Sequence, residues 1–121
     1  MIKGIAHLAF QVADMDLAVR FYEKLGFKKK FVLRDDTGKP WIVYLQIGAN
    51  QFIELFYAHE PLVLRPEITG YQHLCIEVTD IHGVAADLTR KGIAIDHPVT
   101  LGLDHNFQCW IRDPDGNRIE L

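Results

Sequence analysis

Phe52-Ile53-Glu54-Leu55-Phe56 is an apolar run with one carboxylate at its centre. In a strand, alternation places Phe52, Glu54 and Phe56 on one face and Ile53 and Leu55 on the other. An ionised carboxylate between two phenylalanines is costly to bury unless a cation, a metal or strong donors meet it. Ile53-Glu54-Leu55 returns as Ile119-Glu120-Leu121, 66 residues later, and His7-Leu8 returns at the same offset as His73-Leu74. Each His therefore precedes its Glu by 47 residues. The offset also relates Gly4 to Gly70, Val12 to Val78, Asp14 to Asp80 and Gly26 to Gly92. Matches at strand, cap, helix stop and final strand together mark an internal duplication.

The local patterns agree with that division. Residues 4–12 read as a strand with His7, Ala9 and Gln11 on one face. Asp14 is an N-cap for a helix carrying Leu17, Ala18, Phe21, Tyr22 and Leu25, and Gly26 stops it. Strands follow over 27–33 and 41–47, separated by the turn Asp35-Asp36-Thr37-Gly38-Lys39-Pro40, and the Glu54 strand closes the half. The second half repeats the order. A strand is expected over 70–78, and a helix capped by Asp80 and ended by Gly92. A short strand over 93–101 is broken by Pro98, and 107–111 is the next strand. Asp113-Pro114-Asp115-Gly116-Asn117 is a strong turn before 118–121. The expectation is α+β: two tandem βαβββ modules, one over residues 1–57 and one over 70–121, joined by 58–69 within a single domain.

Bulk properties exclude several function classes. A chain of 121 residues, 49% hydrophobic and 24% charged, is one globular domain. Net charge −3 and a pI near 6.0 give no basis for binding nucleic acid or an anionic membrane. No apolar run approaches the ~18 residues of a spanning helix, and no signal-peptide pattern opens the chain. Cys75 and Cys109, without CxxC spacing and inside apolar segments, are expected as buried reduced thiols in a cytoplasmic protein.

Taken alone, His7 fits a core histidine satisfied by a backbone carbonyl, and Glu54 fits an outward position on an edge strand. The repeat argues otherwise. Ala9 became Cys75 and Phe10 became Ile76, whereas both His and both Glu were kept. Two imidazoles and two carboxylates, His7, Glu54, His73 and Glu120, suit one divalent ion: Zn, Ni, Co, Fe or Mn. An ion with open positions can hold both oxygens of a hydroxy-carbonyl or dicarbonyl compound and act as Lewis acid on an enediolate, while Glu54 or Glu120 moves the proton.

The four residues, with Asp113-Pro114-Asp115-Gly116-Asn117 ahead of the last, resemble the vicinal oxygen chelate superfamily, and most closely its glyoxalase I-like branch. The resemblance spans the whole chain. It implies that each module forms half of a cup, that the halves share one metal, that Glu120 is the favoured base with Glu54 its partner, and that the protein is a homodimer. Relatives differ at the Glu54 position. Extradiol dioxygenases and fosfomycin-inactivating enzymes use three ligands, methylmalonyl-CoA epimerases carry Gln there, and bleomycin-binding relatives lack the set. The function implied is a metal-dependent isomerase or lyase. The alternatives are a non-catalytic small-molecule binding protein and a three-ligand iron dioxygenase.

Bacterial glyoxalase I has Arg at the position of Gln11 and Asn at that of Ala58, both serving glutathione carboxylates. The resemblance therefore implies a smaller or uncharged substrate that is not linked to glutathione. Phe52, Phe56, Tyr44, Trp110, Gln46 and Arg112 are candidates for the cup wall, equally open to a packing role, and His105 and Asn106 are loop candidates. His59, His82 and His97 read as surface residues.

Overall fold

The computed structural model describes residues 1, 3–63 and 71–121. The backbone gathers into two compact units, Met1–Val63 and Leu64–Leu121. The first carries β1 (His7–Val12), α1 (Met15–Lys24), β2 (Lys28–Arg34), β3 (Pro40–Gln46) and β4 (Phe52–Tyr57). The second carries β5 (Leu74–Cys75), α2 (Ile81–Arg90), β6 (Ile95–Leu101), β7 (Phe107–Arg112) and β8 (Arg118–Glu120). Both are βαβββ. Their open sheets have the orders β1-β4-β3-β2 and β5-β8-β7-β6, with the first and last strand of each unit parallel and adjacent.

The sheet of the first unit is apolar on the side that meets its helix. Val43, Leu45, Ile53 and Leu55 are buried beside Ala18, Phe21 and Tyr22 of α1. Each such aliphatic side chain contributes roughly 1.5–3 kcal/mol through burial. Tyr22 meets Phe21 and Phe27 edge-on at centroid distances of 5.3 and 5.5 Å. In the second unit Leu88 of α2 is buried, as are Ile93, Cys109, Ile111, Ile119 and Leu121.

Both helices start as expected. The Asp14 carboxylate accepts from the Leu17 N–H at 2.9 Å, and Asp80 accepts from the Gly83 N–H at 3.0 Å. A Cβ at Gly83 would meet the Asp80 carboxylate, whose free end would have to shift. Gly26 and Gly92, at φ of 104° and 78°, end the helices in a backbone region that other residues avoid. Asp80→Ala is expected to lower stability by about 1 kcal/mol, read as a lower midpoint in urea unfolding.

Three expectations are corrected. The strand over 70–78 reduces to Leu74–Cys75, because its partner β8 is only three residues long; Gly70 lies outside the described residues. The ladder gains one further bond, from the Ile76 N–H to the Glu120 carbonyl at 2.9 Å. Pro98 does not break its strand. β6 runs through it from Ile95 to Leu101, with a register shift between His97 and Thr100 that accommodates a residue lacking an N–H. Cys75 is exposed rather than buried, while Cys109 is fully buried, and neither forms a disulfide. Among the described residues no helix is long and apolar enough to cross a membrane.

Candidate metal and substrate site

Glu54 sits on β4, the strand between β1 and β3, opposite Ala9 on one side and Tyr44 on the other. It is 6% exposed, so the edge-strand alternative does not describe it. Two groups meet the carboxylate. His7 approaches from β1, with Nδ1 3.5 Å from Glu54 Oε1. The Tyr44 hydroxyl donates a hydrogen bond to Glu54, and this bond, followed by desolvation and the carboxylate charge, holds the phenol above its ordinary pKa. The Tyr44 ring stacks on Phe31 at 4.1 Å with 21° between planes. Phe52 and Phe56 flank Glu54 on the same face, both half-buried. Trp41 is the extra residue of a bulge opposite Leu33 and Arg34, and its ring meets Phe56 edge-on at 6.2 Å. Gln46 stands opposite Phe52.

The second unit repeats this frame with different neighbours. Glu120 on β8 lies opposite Cys75 and Trp110, the register that Glu54 has with Ala9 and Tyr44. His73 Nε2 is 2.9 Å from Glu120 Oε2. The His73 ring also meets Trp110 at 4.8 Å and 78°. Trp110 Nε1 donates to Gln108 Oε1 at 2.8 Å, and the Arg118 guanidinium lies 4.2 Å over the indole. Arg112 pairs with Asp96 at 3.1 Å and donates to the Gly116 carbonyl at 3.2 Å. The Cys75 thiol is pushed above its ordinary range by desolvation first, then by the charges of Glu120 and Asp104.

The donor chemistry of each pair fits a divalent ion. Two ligand atoms on one ion with bonds of ~2.0–2.2 Å and roughly 90–110° between them stand about 2.9–3.5 Å apart. The 3.5 and 2.9 Å separations fall in that interval, which is also that of a direct ion pair. Within each unit no third His, Cys, Asp or Glu joins the pair among the described residues. Each unit thus offers one His–carboxylate pair.

The remaining candidates separate. Tyr44, Phe52, Phe56, Gln46 and Trp110 lie on, or in register with, the faces that bear Glu54 and Glu120. His105 and Asn106 stay in an exposed turn, where Asn106 binds the Asp104 carboxylate and the His105 N–H donates to the Gly102 carbonyl at 3.1 Å. His59, His82 and His97 are exposed. Two features escaped the sequence reading. One is the Tyr44 bond to Glu54, and the other is Arg118 against Trp110. Both had a signal: the 66-residue offset aligns Tyr44 with Trp110, and Arg118 shares a strand face with Glu120 because it stands two residues before it.

Comparison with known proteins agrees with this frame. The chain is similar to a virulence protein of Salmonella typhimurium, with 36% identity over 127 residues covering 100% of this chain and 84% of that protein. It is similar to the metallothiol transferase FosB of Shouchella clausii, with 29% identity covering 100% of this chain and 80% of the relative. Among solved structures, a glyoxalase family protein from Enterococcus faecalis superposes with a TM-score of 0.85 at 29% identity, covering 98% of this chain and 96% of that one. The family model described as glyoxalase/bleomycin resistance protein/dioxygenase superfamily matches residues 4–121, a span that includes both His–Glu pairs. The chain belongs to that superfamily.

Proposed function

We propose that the protein is a divalent-metal-dependent isomerase or lyase, acting through an enediolate on a small hydroxy-carbonyl or dicarbonyl compound. The observation that carries this reading is the His–carboxylate pair found in each unit at the same strand register and at ligand-to-ligand spacing. His7, Glu54, His73 and Glu120 would hold the ion, which is Ni, Zn, Co, Fe or Mn on this donor chemistry. When bound, it would supply Lewis-acid stabilisation of negative charge on the substrate oxygens. Glu120 takes the proton from the carbon beside the carbonyl and returns it to the neighbouring carbon. Its greater access to solvent, 21% of the side chain against 7% for Glu54, supports that division of labour. Glu54, fixed by Tyr44, is the partner carboxylate.

The test is metal analysis after loading with Ni or Zn, together with turnover of an aldehyde and ketone panel. About one ion per chain and turnover of a panel member are expected; a protein that retains no divalent ion would end the proposal. Glutathione is not expected as co-substrate. Gln11 is neutral and exposed, and Ala58 offers only a backbone N–H, already donated to the Val12 carbonyl at 2.9 Å. A charge-assisted bond to a carboxylate is worth ~1.5–3 kcal/mol, so losing two such interactions weakens binding by a factor on the order of hundreds. Turnover of the methylglyoxal–glutathione hemithioacetal should stay near background. A kcat/KM of ~10⁴–10⁸ M⁻¹s⁻¹ would refute this.

A second reading is thiol transfer, favoured by the two matched relatives named metallothiol transferase, at 29% and 28% identity. It needs only His7, His73 and Glu120, so Glu54→Gln would leave it unchanged while weakening the four-ligand ion on which the enediolate reaction depends. A homodimer is expected as well: sedimentation should give about 28 kDa, twice the 13.9 kDa chain, and a monomer mass at micromolar concentration would exclude it.

A further inference from the structure

The duplication kept its His and Glu but diverged two residues before each Glu. The first unit has Phe52 there and the second has Arg118. Arg118 stands directly opposite Arg112 in the β7–β8 register, so two guanidinium-bearing residues occupy neighbouring positions on the face that carries Trp110 and Glu120. Like charges placed opposite each other in a sheet are destabilising unless something neutralises them. Arg112 is neutralised by Asp96 and capped by the Gly116 carbonyl. Arg118 is not. Its guanidinium rests on the Trp110 ring, and its Nε is buried without a hydrogen-bond partner. Among the described residues it forms no ion pair, since Glu120 turns its carboxylate to His73 instead.

A cation stacked on an indole is attracted by the ring and held in one orientation, but the ring leaves its N–H donors unsatisfied. A fixed planar fork with free donors suits an oxyanion, above all a carboxylate taken by two parallel N–H bonds. Trp110 meets both His73 and Arg118, and so ties the fork to the His–Glu pair. Along the strand, two residues span about 6.4–6.8 Å. The long Arg118 side chain closes that gap, since its guanidinium lies over Trp110, the residue opposite Glu120, and a small molecule engaged at Glu120 would meet the fork within a few bonds.

We propose that Arg118, backed by Arg112, forms a carboxylate-recognition subsite beside Glu120, so that the substrate is a small carbonyl compound bearing a carboxylate two or three bonds from the reacting carbonyl. This rests on the metal-dependent reading above. It is compatible with the neutral Gln11 and Ala58 positions, because the anion is met in the second unit.

The experiment compares two bidentate chelators on nickel-loaded protein by titration calorimetry. One is butyrohydroxamate, which is neutral beyond its chelating group; the other is succinate monohydroxamate, of similar length but ending in a carboxylate. The wild type should bind the carboxylate-bearing probe about tenfold or more tighter, as one charge-assisted pair implies. The preference should shrink as salt rises. Arg118→Met, which keeps an unbranched side chain over Trp110, should bring the two affinities within about twofold, and Arg118→Lys should restore part of the difference. Equal binding of the two probes by the wild type, or a preference that survives in R118M, would overturn the subsite and leave the metal reading intact. Failure to bind either probe would overturn both. Should R118M not fold, the wild-type ratio and R118K decide alone: a preference that is salt-insensitive, or absent, overturns the proposal.

Discussion

Glu54→Ala should lower the affinity for the divalent ion by more than ~100-fold, abolish turnover and also destabilise the first unit. Two losses combine. On the proposed function Glu54 is a ligand, and removing a ligand costs more than removing a group that merely orients one, which already costs ~10–100-fold. The carboxylate is also the acceptor for the Tyr44 hydroxyl and the neighbour of His7 on a buried stretch of β4. Stranding a part-buried donor costs about 1–3 kcal/mol. Glu54→Gln separates these effects. The amide oxygen still accepts from Tyr44, so the unfolding midpoint should stay close to that of wild type, while the lost charge still weakens the ion. Competition with a chelator of known affinity reads the first effect and urea unfolding the second. If Glu54→Gln unfolds the domain while Glu54→Ala does not, the assignment of Glu54 as a ligand held by Tyr44 is wrong. Tyr44→Phe provides an independent check, because it removes the donor and leaves the carboxylate, and should change metal affinity by no more than the ~10–100-fold of an orienting partner.

What the sequence disclosed follows from which interactions are local. Asp14 and Asp80 were legible as caps because a cap is decided within four residues, and Gly26 and Gly92 as stops for the same reason. The pairing of His7 with Glu54 and of His73 with Glu120 was legible because the duplication wrote it twice at one spacing. Cys75 was misjudged because its neighbours Leu74 and Ile76 suggested a buried strand, whereas it stands opposite Glu120, on the other face of the sheet from the buried Ile111 and Ile119. Arg118 was missed for a related reason. Its interest lies in the residues opposite it, Arg112 and by diagonal Trp110, and cross-strand register is a property of the folded sheet. The Tyr44–Glu54 bond is of the same kind.

Asp113→Ala should cost about 2–4 kcal/mol, the largest stability loss expected outside the hydrophobic core, and should disturb Glu120 through the backbone. The side chain is 4% exposed and holds the turn between β7 and β8 together. Its Oδ1 accepts from the Asp115 N–H at 3.0 Å and the Asn117 N–H at 2.8 Å, and its Oδ2 accepts from Asn117 Nδ2 at 2.9 Å. Alanine would leave these donors without an acceptor in a part-buried turn, and each such loss is worth ~1 kcal/mol or more. The corresponding turn of the first unit has Ile47 in this position and works differently. Gly48 and Asn50 supply positive φ of 65° and 58°, and the Ile47 N–H bonds the Gln51 carbonyl at 3.0 Å. Only the second unit therefore depends on a carboxylate for its turn. That turn fixes the register that sets Glu120 opposite Trp110, and a slip of one residue would move Glu120 to the other face of the sheet. Asp113→Asn keeps the Oδ1 acceptor for both backbone N–H groups and should recover more than half of the loss. The Tyr71 phenol is an independent reporter. It is pushed up to about 12, by burial first and by the Asp113 charge second. Asp113→Asn should bring it down only in part, because burial remains, in a spectrophotometric titration of the phenolates. An Asp113→Ala protein as stable as wild type would show that Asp113 is not the hub of this turn, and a Tyr71 titration identical to wild type in Asp113→Asn would show that the Asp113 charge does not reach the phenol.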